Sequence, residues 1–288
     1  MHCRTHTKPS SLGQAGPHQS PYHDTMIDHD KNIGEMLDLL DKLGIADSTI
    51  VVYTTDNGPH MNTWPDGAMT PFRSEKDTNW EGAFRVPLLV RWPGKIPAGV
   101  ISNEIVQHHD WLPTFLAAAG EPDIVEKCKK GHKAGRKTFK VHLDGFNLLP
   151  YLTGKVKKSP RQGFIYFDDD GDLVALRVGN WKAVFMEQRC EGTLRIWAEP
   201  FTTLRIPKIY NLRTDPYERA DTTSNTYWDW YLSKGYMLMS AQGLVSRFLE
   251  TFKDFPPRQK AASFTIDQAM QKMEAGFAGG SAKMPKAA

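Results

Sequence analysis

A short segment near residue 56 carries side chains that suit a bound cation. Asp56 and Asn57 follow directly after the run Ile-Val-Val-Tyr-Thr-Thr, which ends at Thr55. Carboxylate and amide oxygens are ligands that Ca²⁺ and Mg²⁺ prefer, and open α/β sheets bind ligands beyond the carboxyl ends of their strands. The tetrapeptide Asp-Asn-Gly-Pro also has the composition of an ordinary turn, so these residues alone leave both interpretations open.

Lysine 76 follows the candidate cation site and would add a mobile positive charge for an anionic substrate. His60, directly after the Asp-Asn-Gly-Pro loop, is a candidate for lining the same pocket. Further along, residues 80–87 read Trp-Glu-Gly-Ala-Phe-Arg-Val-Pro and residues 92–94 read Trp-Pro-Gly. Asp56 and Asn57 thus suit a bound cation, and Lys76 suits an anionic substrate beside it.

The elements around these residues follow an α/β pattern. Apolar residues recur at helical spacing from Asp28 to Leu43, which predicts an amphipathic helix. The β-branched run 50–55 has no alternation, as expected of a strand buried on both faces of a parallel sheet. Residues 87–92 predict another strand, and Asp110 is placed to cap a helix from Trp111 to Ala119.

The second half of the chain has a different character. Residues 124–140 are basic and contain glycine, which is typical of a solvated loop. Apolar runs at 163–167, 173–178 and 181–186 predict an antiparallel meander, to which 207–212 could add a strand and 227–252 a long helix. We therefore divide the chain into an α/β part (1–155), a small antiparallel α+β part (156–275) and a disordered tail (276–288).

The order of these motifs resembles the sulfatase family. In that family a buried strand ends in Asp-Asn-Gly, and a lysine follows shortly before Trp/Tyr-Glu-Gly-Gly-x-Arg-x-Pro and Trp-Pro-Gly. This chain departs from that pattern only at Ala83, which replaces the second glycine. Further similarities cover roughly residues 1–220, at His29-Asp30, Ile33-Gly34, Leu40-Asp41, Asp110 to Thr114 and Tyr210 to Glu218. The resemblance implies the carboxyl-terminal part of an alkaline-phosphatase-like α/β domain with a parallel or mixed sheet, followed by the small antiparallel subdomain.

The resemblance also implies an activity and a set of roles. Sulfatases hydrolyse sulfuric esters, with a Ca²⁺ ion and a formylglycine made from the cysteine of Cys-x-Pro/Ala-x-Arg. Asp56 and Asn57 match metal ligands, and Lys76 matches the lysine that contacts the sulfate. His6, after Thr5, resembles the histidine that contacts the sulfate and helps to protonate the leaving alcohol. The substrate implied is a small-molecule or carbohydrate sulfate ester.

The chain departs from the family at the nucleophile. None of Cys3, Cys128 and Cys190 begins Cys-x-Pro/Ala-x-Arg, and no early strand ends in paired aspartates. One carboxylate and one amide supply at most about three of the 6–8 oxygens that Ca²⁺ takes. We therefore expect an inactive fragment of a longer sulfatase.

Several alternatives remain open. Metal and lysine would also suit a phosphonate monoester or phosphodiester hydrolase of the same superfamily, or a binding protein without catalysis. Lys127 to Lys140 could bind a polyanion, although this rests on charge alone. His2, Cys3 and His6 resemble part of a zinc site without a second ligand pair, and residues 168–172 suit a charged hairpin turn better than a calcium loop.

Composition narrows the function classes. The formal net charge of +3 gives no general basic field for nucleic acid or an anionic membrane. No run approaches the roughly 18 apolar residues of a membrane span, and the opening segment lacks the apolar stretch of a signal peptide. Family members are often exported, so a periplasmic or secreted complete protein agrees with the resemblance.

Overall fold

The computed structural model describes residues 5–67, 70–190 and 192–256. Its helices and strands alternate in the first half, and strands precede helices in the second. In chain order they are α1 Pro21–Lys42, β1 Val51–Thr54, α2 Glu81–Phe84, β2 Leu88–Arg91, α3 Trp111–Ala118, α4 Ile124–Lys130, β3 His132–Ala134, β4 Lys137–Phe139, α5 Leu149–Leu152, β5 Gly163–Phe167, β6 Leu173–Val178, β7 Trp181–Glu187, β8 Thr202–Asn211, α6 Ala220–Thr223, α7 Tyr227–Ser233 and α8 Tyr236–Asp254.

Helix α1 begins seven residues earlier than the sequence pattern predicted. Pro21 occupies the first turn, where its missing N–H costs nothing, and Ser20 precedes it as the N-cap residue. The carboxylate of Asp24 accepts hydrogen bonds from the N–H groups of Gly13 (2.9 Å) and Ala15 (2.7 Å). These polar interactions extend the helix beyond its apolar stripe and hold the preceding segment against it.

Strand β1 forms where predicted, but its pairing differs from the expected parallel arrangement. Among the described residues its partner is β2, which runs antiparallel with Val51 opposite Arg91 and Thr54 opposite Leu88. All four residues of β1 are half-buried, and β2 is the one strand that pairs with β1 in the described part of the chain. As far as the structure describes the chain, the sheet next to the candidate site is thus a two-stranded antiparallel pair.

The basic segment 124–140 is not the loop that its composition predicted. It folds into α4 and the hairpin β3–β4, with Ile124 and Cys128 buried against the rest of the chain. Two of its lysines, Lys127 and Lys129, are paired with Glu121 and Glu126. These pairs reduce the positive charge that a polyanion would meet.

The second half contains a four-stranded antiparallel sheet in the order β5-β6-β7-β8, which confirms the predicted meander and its added strand. Cross-strand partners alternate between its faces. One face, with Leu176 and Ala183, packs against Ala241 of α8. The other, with Tyr166 and Val184, packs against Trp80. The segment that leads into α2 is therefore packed on this face of the sheet through Trp80.

The predicted long helix is divided into α7 and α8 at Lys234-Gly235. The break lets Tyr227 and Tyr231 of α7 pack on Ile209 of β8, while α8 covers the neighbouring part of the sheet. The predicted disordered tail lies outside the described residues. Among those described, none of the helices has the length and apolarity that crossing a bilayer would require.

Candidate functional site

The loop after β1 places Asp56 and Asn57 on the wall of an open cleft of about 1640 Å³. Asp56 is exposed and Asn57 is half-buried. The Asn57 N–H donates to Oδ1 of Asp56 (3.0 Å), as in a turn that an aspartate stabilises. The segment is thus a turn, and its two side chains also face the cleft.

Close backbone packing fixes this loop. The Gly58 N–H donates to the Ala83 carbonyl (2.8 Å), and a Cβ at Gly58 would lie 1.8 Å from the Gly82 carbonyl oxygen. A Cβ at Gly82 would in turn lie 2.2 Å from the Ser74 carbonyl oxygen. Both positions therefore require glycine. Ala83 lies in the helical turn α2, a conformation open to alanine, which explains why the second glycine can be replaced.

Lysine 76 is held directly against the same loop. Its backbone N–H donates to the Pro59 carbonyl (3.0 Å). Ser74 and Asp77, on either side, have positive φ angles of 61° and 63°, which cost non-glycine residues energy and recur at functional sites. The structure thus brings together Lys76 and the loop of Asp56 and Asn57, which lie 20 residues apart in the sequence.

A buried carboxylate, Glu75, secures this arrangement. Its Oε2 accepts the Met61 N–H (2.6 Å) and lies 3.6 Å from Nε2 of His60, while its Oε1 accepts the Gly192 N–H (2.5 Å). Glu75 has no solvent exposure, so these contacts replace its hydration. It joins the loop after β1 to the segment between β7 and β8.

That segment brings Trp197 to the site. The Lys76 ammonium lies 4.8 Å from the centroid of the Trp197 ring, and the His60 ring meets the same indole at 5.0 Å in a T-shaped contact. Trp197 lines the cleft together with Asp56 and Asn57. His60, predicted to line the pocket, is instead buried beneath Trp197.

A second charged cluster attaches α2 to the antiparallel sheet. Glu81 accepts hydrogen bonds from Arg177 (3.0 Å) and Tyr166 (3.2 Å). Its backbone N–H donates to Glu218 (2.6 Å), whose carboxylate forms an ion pair with Lys182 at 2.6 Å. Burial raises the pKa of Glu218, and Lys182 opposes that rise. The cluster thus fixes the position of Gly82, against whose backbone Gly58 packs.

The end of β1 has a further anchor. His108 donates through Nε2 to the Thr55 carbonyl (2.9 Å). Asp110 precedes α3 as its N-cap residue, as predicted, but its carboxylate accepts the Gln107 N–H one turn earlier and makes no cap hydrogen bond to α3 itself. The same buried carboxylate pairs with Arg161 at 2.6 and 2.7 Å and accepts the backbone N–H of Phe146. Arg161 also contacts Nε2 of His109, and burial together with this cation lowers the pKa of His109.

Carboxyl groups line the cleft close to Lys76, which is not itself among the described residues that line the cleft. Asp77 and Asp168 to Asp170 line it, and the last three belong to the charged hairpin turn predicted between β5 and β6. Burial, and then the charge of Asp169, raises the pKa of Asp77. The rim is therefore negative close to the positive charge of Lys76.

The donors for a cation are of the right type but too few. The described part of the chain contains no group of three or more His, Cys, Asp or Glu side chains that could hold a metal ion. Asp56 and Asn57 can give about three of the 6–8 oxygens of a Ca²⁺ site. These residues therefore do not make up a calcium site by themselves.

Other predicted residues lie apart from this arrangement. The His6 side chain is exposed, and His6 is not among the described residues that line the cleft. His2 and Cys3 lie outside the described residues. Sequence reasoning missed Glu75 and Trp197, for which no motif signalled a role. It included Glu218 only as the end of a family motif.

Comparison with known proteins places this arrangement among sulfatases. The family model "Sulfatase" matches residues 5–121, and the model "C-terminal region of aryl-sulfatase" matches residues 159–276. Human arylsulfatase A is 32% identical over 225 residues, which cover 73% of this chain and 41% of that protein. Human N-acetylgalactosamine-6-sulfatase is 31% identical over 218 residues, which cover 69% of this chain and 38% of that protein.

A solved structure agrees. The PsFucS1 sulfatase from Pseudoalteromonas sp. superposes with a TM-score of 0.70 at 28% identity, over 90% of this chain and 48% of that one. The chain thus spans less than half the length of these relatives. The similarity confirms the predicted fold class, the carboxyl-terminal part of an alkaline-phosphatase-like α/β domain followed by a small antiparallel subdomain.

Proposed function

The chain belongs to the sulfatase family, and on this premise we propose that it supplies one wall of the active site of a sulfuric ester hydrolase. In this proposal Asp56 and Asn57 give part of the oxygen ligands of a Ca²⁺ ion. Lys76 contacts the sulfate group, and His6 serves the leaving alcohol. Ca²⁺, when bound, would neutralise sulfate charge and polarise its S–O bonds.

One observation carries the proposal, namely the hydrogen bond from the Lys76 N–H to the Pro59 carbonyl (3.0 Å). It joins the only lysine matched to a sulfate contact with the loop that holds the matched metal ligands. A family motif preserved merely as a turn would not need this lysine beside it. The positive φ angles around Lys76 support a functional role in the same way.

Lys76 suits the chemistry of sulfate ester cleavage. Negative charge grows on the departing oxygen as the S–O bond breaks, and a fixed positive charge near the sulfate lowers the energy of that state. The ammonium already rests on the Trp197 ring, which limits the side-chain freedom lost on binding. The role of His6 rests on the family match alone.

We further propose that this chain does not turn over substrate by itself. Its sequence contains no Cys-x-Pro/Ala-x-Arg from which a formylglycine could form. The described residues also provide too few oxygens for Ca²⁺. An aryl or carbohydrate sulfate would be the substrate of the complete enzyme, because arylsulfatase A and N-acetylgalactosamine-6-sulfatase are among the similar proteins. An exported location of that enzyme rests on the same resemblance.

The test compares two proteins on 4-nitrophenyl sulfate with Ca²⁺. One is the 288-residue chain. The other is the same chain joined to an amino-terminal sulfatase segment with Cys-x-Pro/Ala-x-Arg and co-expressed with a formylglycine-generating enzyme. We expect hydrolysis by the second protein alone. Hydrolysis by the short chain would show that its nucleophile lies elsewhere.

Variants of the active protein then test the assignments. Asp56→Ala should abolish Ca²⁺-dependent turnover, and Lys76→Ala should reduce kcat/KM about 10²–10³-fold, as for the loss of one oxyanion-stabilising group. The exposed residues Asp38 and Lys133 provide matched controls, whose alanine variants should keep wild-type rates. Faster hydrolysis of bis(4-nitrophenyl) phosphate than of the sulfate would favour the phosphodiesterase alternative.

A further inference from the structure

We propose that Trp197 forms an aromatic subsite for the organic group of the sulfate ester, on the wall next to Lys76. The inference rests on the proposed contact between Lys76 and sulfate. Its chemistry requires a substrate whose organic part presents a flat apolar face, such as an aryl ring or the C–H face of a pyranose. Methyl and other small acyclic esters lack such a face.

The position of Trp197 carries the first step. Its ring centroid lies 4.8 Å from the Lys76 ammonium, so a sulfate at Lys76 would place its ester oxygen and organic group within reach of the indole. The His60 ring packs against it from within the protein. The Trp197 residue nevertheless remains 45% exposed, and it lines the cleft. Nearly half of the surface of Trp197 is thus open to a ligand in the cleft.

The backbone that carries Trp197 is fixed by buried polar groups. The Gly192 N–H donates to Glu75 (2.5 Å), and Nε2 of His60 donates to the Thr193 carbonyl (3.3 Å). The Gln188 side chain donates to the carbonyls of Ile196 (3.4 Å) and Glu199 (2.7 Å). Ile196, the neighbour of Trp197, is buried. A half-exposed indole on so firmly held a segment is already placed for stacking.

A purely structural role for Trp197 would leave a different pattern of effects. If the ring served only to position Lys76, its removal would lower the affinity for every sulfate ester by the same factor. If the ring also stacks on the organic group, its removal would lower the affinity for esters with a flat ring more than the affinity for methyl sulfate. The ratio of two affinities therefore separates the two roles.

Ligand-observed NMR with the 288-residue chain gives these affinities, because it detects weak binding without turnover. The probes are inorganic sulfate, methyl sulfate, phenyl sulfate and glucose 6-sulfate. Trp197→Ala should lower the affinity for phenyl sulfate about five- to tenfold relative to methyl sulfate, the usual effect of one aromatic pair. Trp197→Phe should retain most of the difference. A larger loss for glucose 6-sulfate than for phenyl sulfate would assign the subsite to sugars.

Two controls keep the inference separate from the proposed function. Trp228→Ala removes an indole of similar exposure (51%) that does not line the cleft, and it should leave every affinity unchanged. Lys76→Met should lower the affinity of the chain for all four probes. Equal affinities in Lys76→Met and wild type would overturn the sulfate site itself. An unchanged ratio of ring-bearing to methyl ester affinity in Trp197→Ala, with Lys76→Met weakened, would overturn the aromatic subsite alone.

Discussion

Replacing Lys182 by methionine should destabilise the junction between the two parts of the chain. The Lys182 ammonium has no solvent exposure and lies 2.6 Å from Glu218 and 3.9 Å from Glu81, both of which are also buried. Methionine fills a similar volume but removes the positive charge. Two buried carboxylates would then lose the cation that lies between them.

The expected loss is about 3–5 kcal/mol at neutral pH, as for other buried ion pairs that lose one partner. It should depend on pH. Burial already raises the pKa of Glu218, and Lys182 is the largest opposing influence, so the variant raises that pKa further. The folded variant then keeps the Glu218 proton to higher pH than the unfolded chain, which releases it near 4.5. The stability of the variant relative to wild type should therefore fall as pH rises from the folded wild-type pKa of Glu218, which already lies above 4.5, to the higher folded pKa of the variant.

Urea unfolding at pH 4 and pH 7 measures both effects. The matched control is Arg195→Met, which removes one member of the exposed Arg195–Glu199 pair and should cost far less. Glu218→Gln in the Lys182→Met background should recover part of the loss, since the buried negative charge is then gone. A Lys182→Met variant no less stable than Arg195→Met at pH 7 would refute this account of the cluster. Equal losses at both pH values would do the same.

Three further predictions concern other parts of the structure. Gly58→Ala should lower the free energy of unfolding by at least about 1–3 kcal/mol, because its Cβ has no space. Gly34→Ala in α1, where a Cβ meets no other atom, should raise that free energy by about 0.4–1 kcal/mol. Equal urea midpoints for the two variants would contradict the close packing at Gly58. Burial raises the pKa of Tyr227 from 10.0 to about 12, so wild-type stability should fall between these pH values as the unfolded chain ionises first. The Tyr227→Phe variant should lose less stability than wild type over this pH range. An equal loss in the two proteins, measured by thermal melting at a series of alkaline pH values, would contradict the prediction. Arg161→Met should cost about 3–5 kcal/mol, because it leaves Asp110 buried without its partner; calorimetry at neutral pH measures it, and a loss below about 1 kcal/mol would show that the pair is not desolvated.

Strands β5, β6 and β7 were predicted correctly because each is a short apolar run flanked by Gly, Asp or Asn. Strand β8 begins at Thr202, five residues before its predicted start, because its first half mixes polar and apolar residues. Local patterns decide such hairpins, and the Asp168 to Asp172 turn follows the same rule. The basic composition of segment 124–140 predicts a loop, but the segment folds into α4 and the β3–β4 hairpin. Its Ile124 and Cys128 lie four residues apart and make one buried helix face, a signal that the surrounding lysines obscured.

The sequence by itself determined the family, the carboxylate and amide at the end of β1, and the lysine that follows, because these depend on residue types in a fixed order. The tertiary structure alone decided how they meet. Glu75 joins the site through the Gly192 N–H, 117 positions along the chain, and Trp197 joins it through contacts with Lys76 and His60. The same holds for Asp110, whose partner Arg161 lies 51 residues along the chain. Buried polar and charged groups need partners, and which groups come close enough to pair is determined by tertiary packing. No local sequence pattern predicts these pairs.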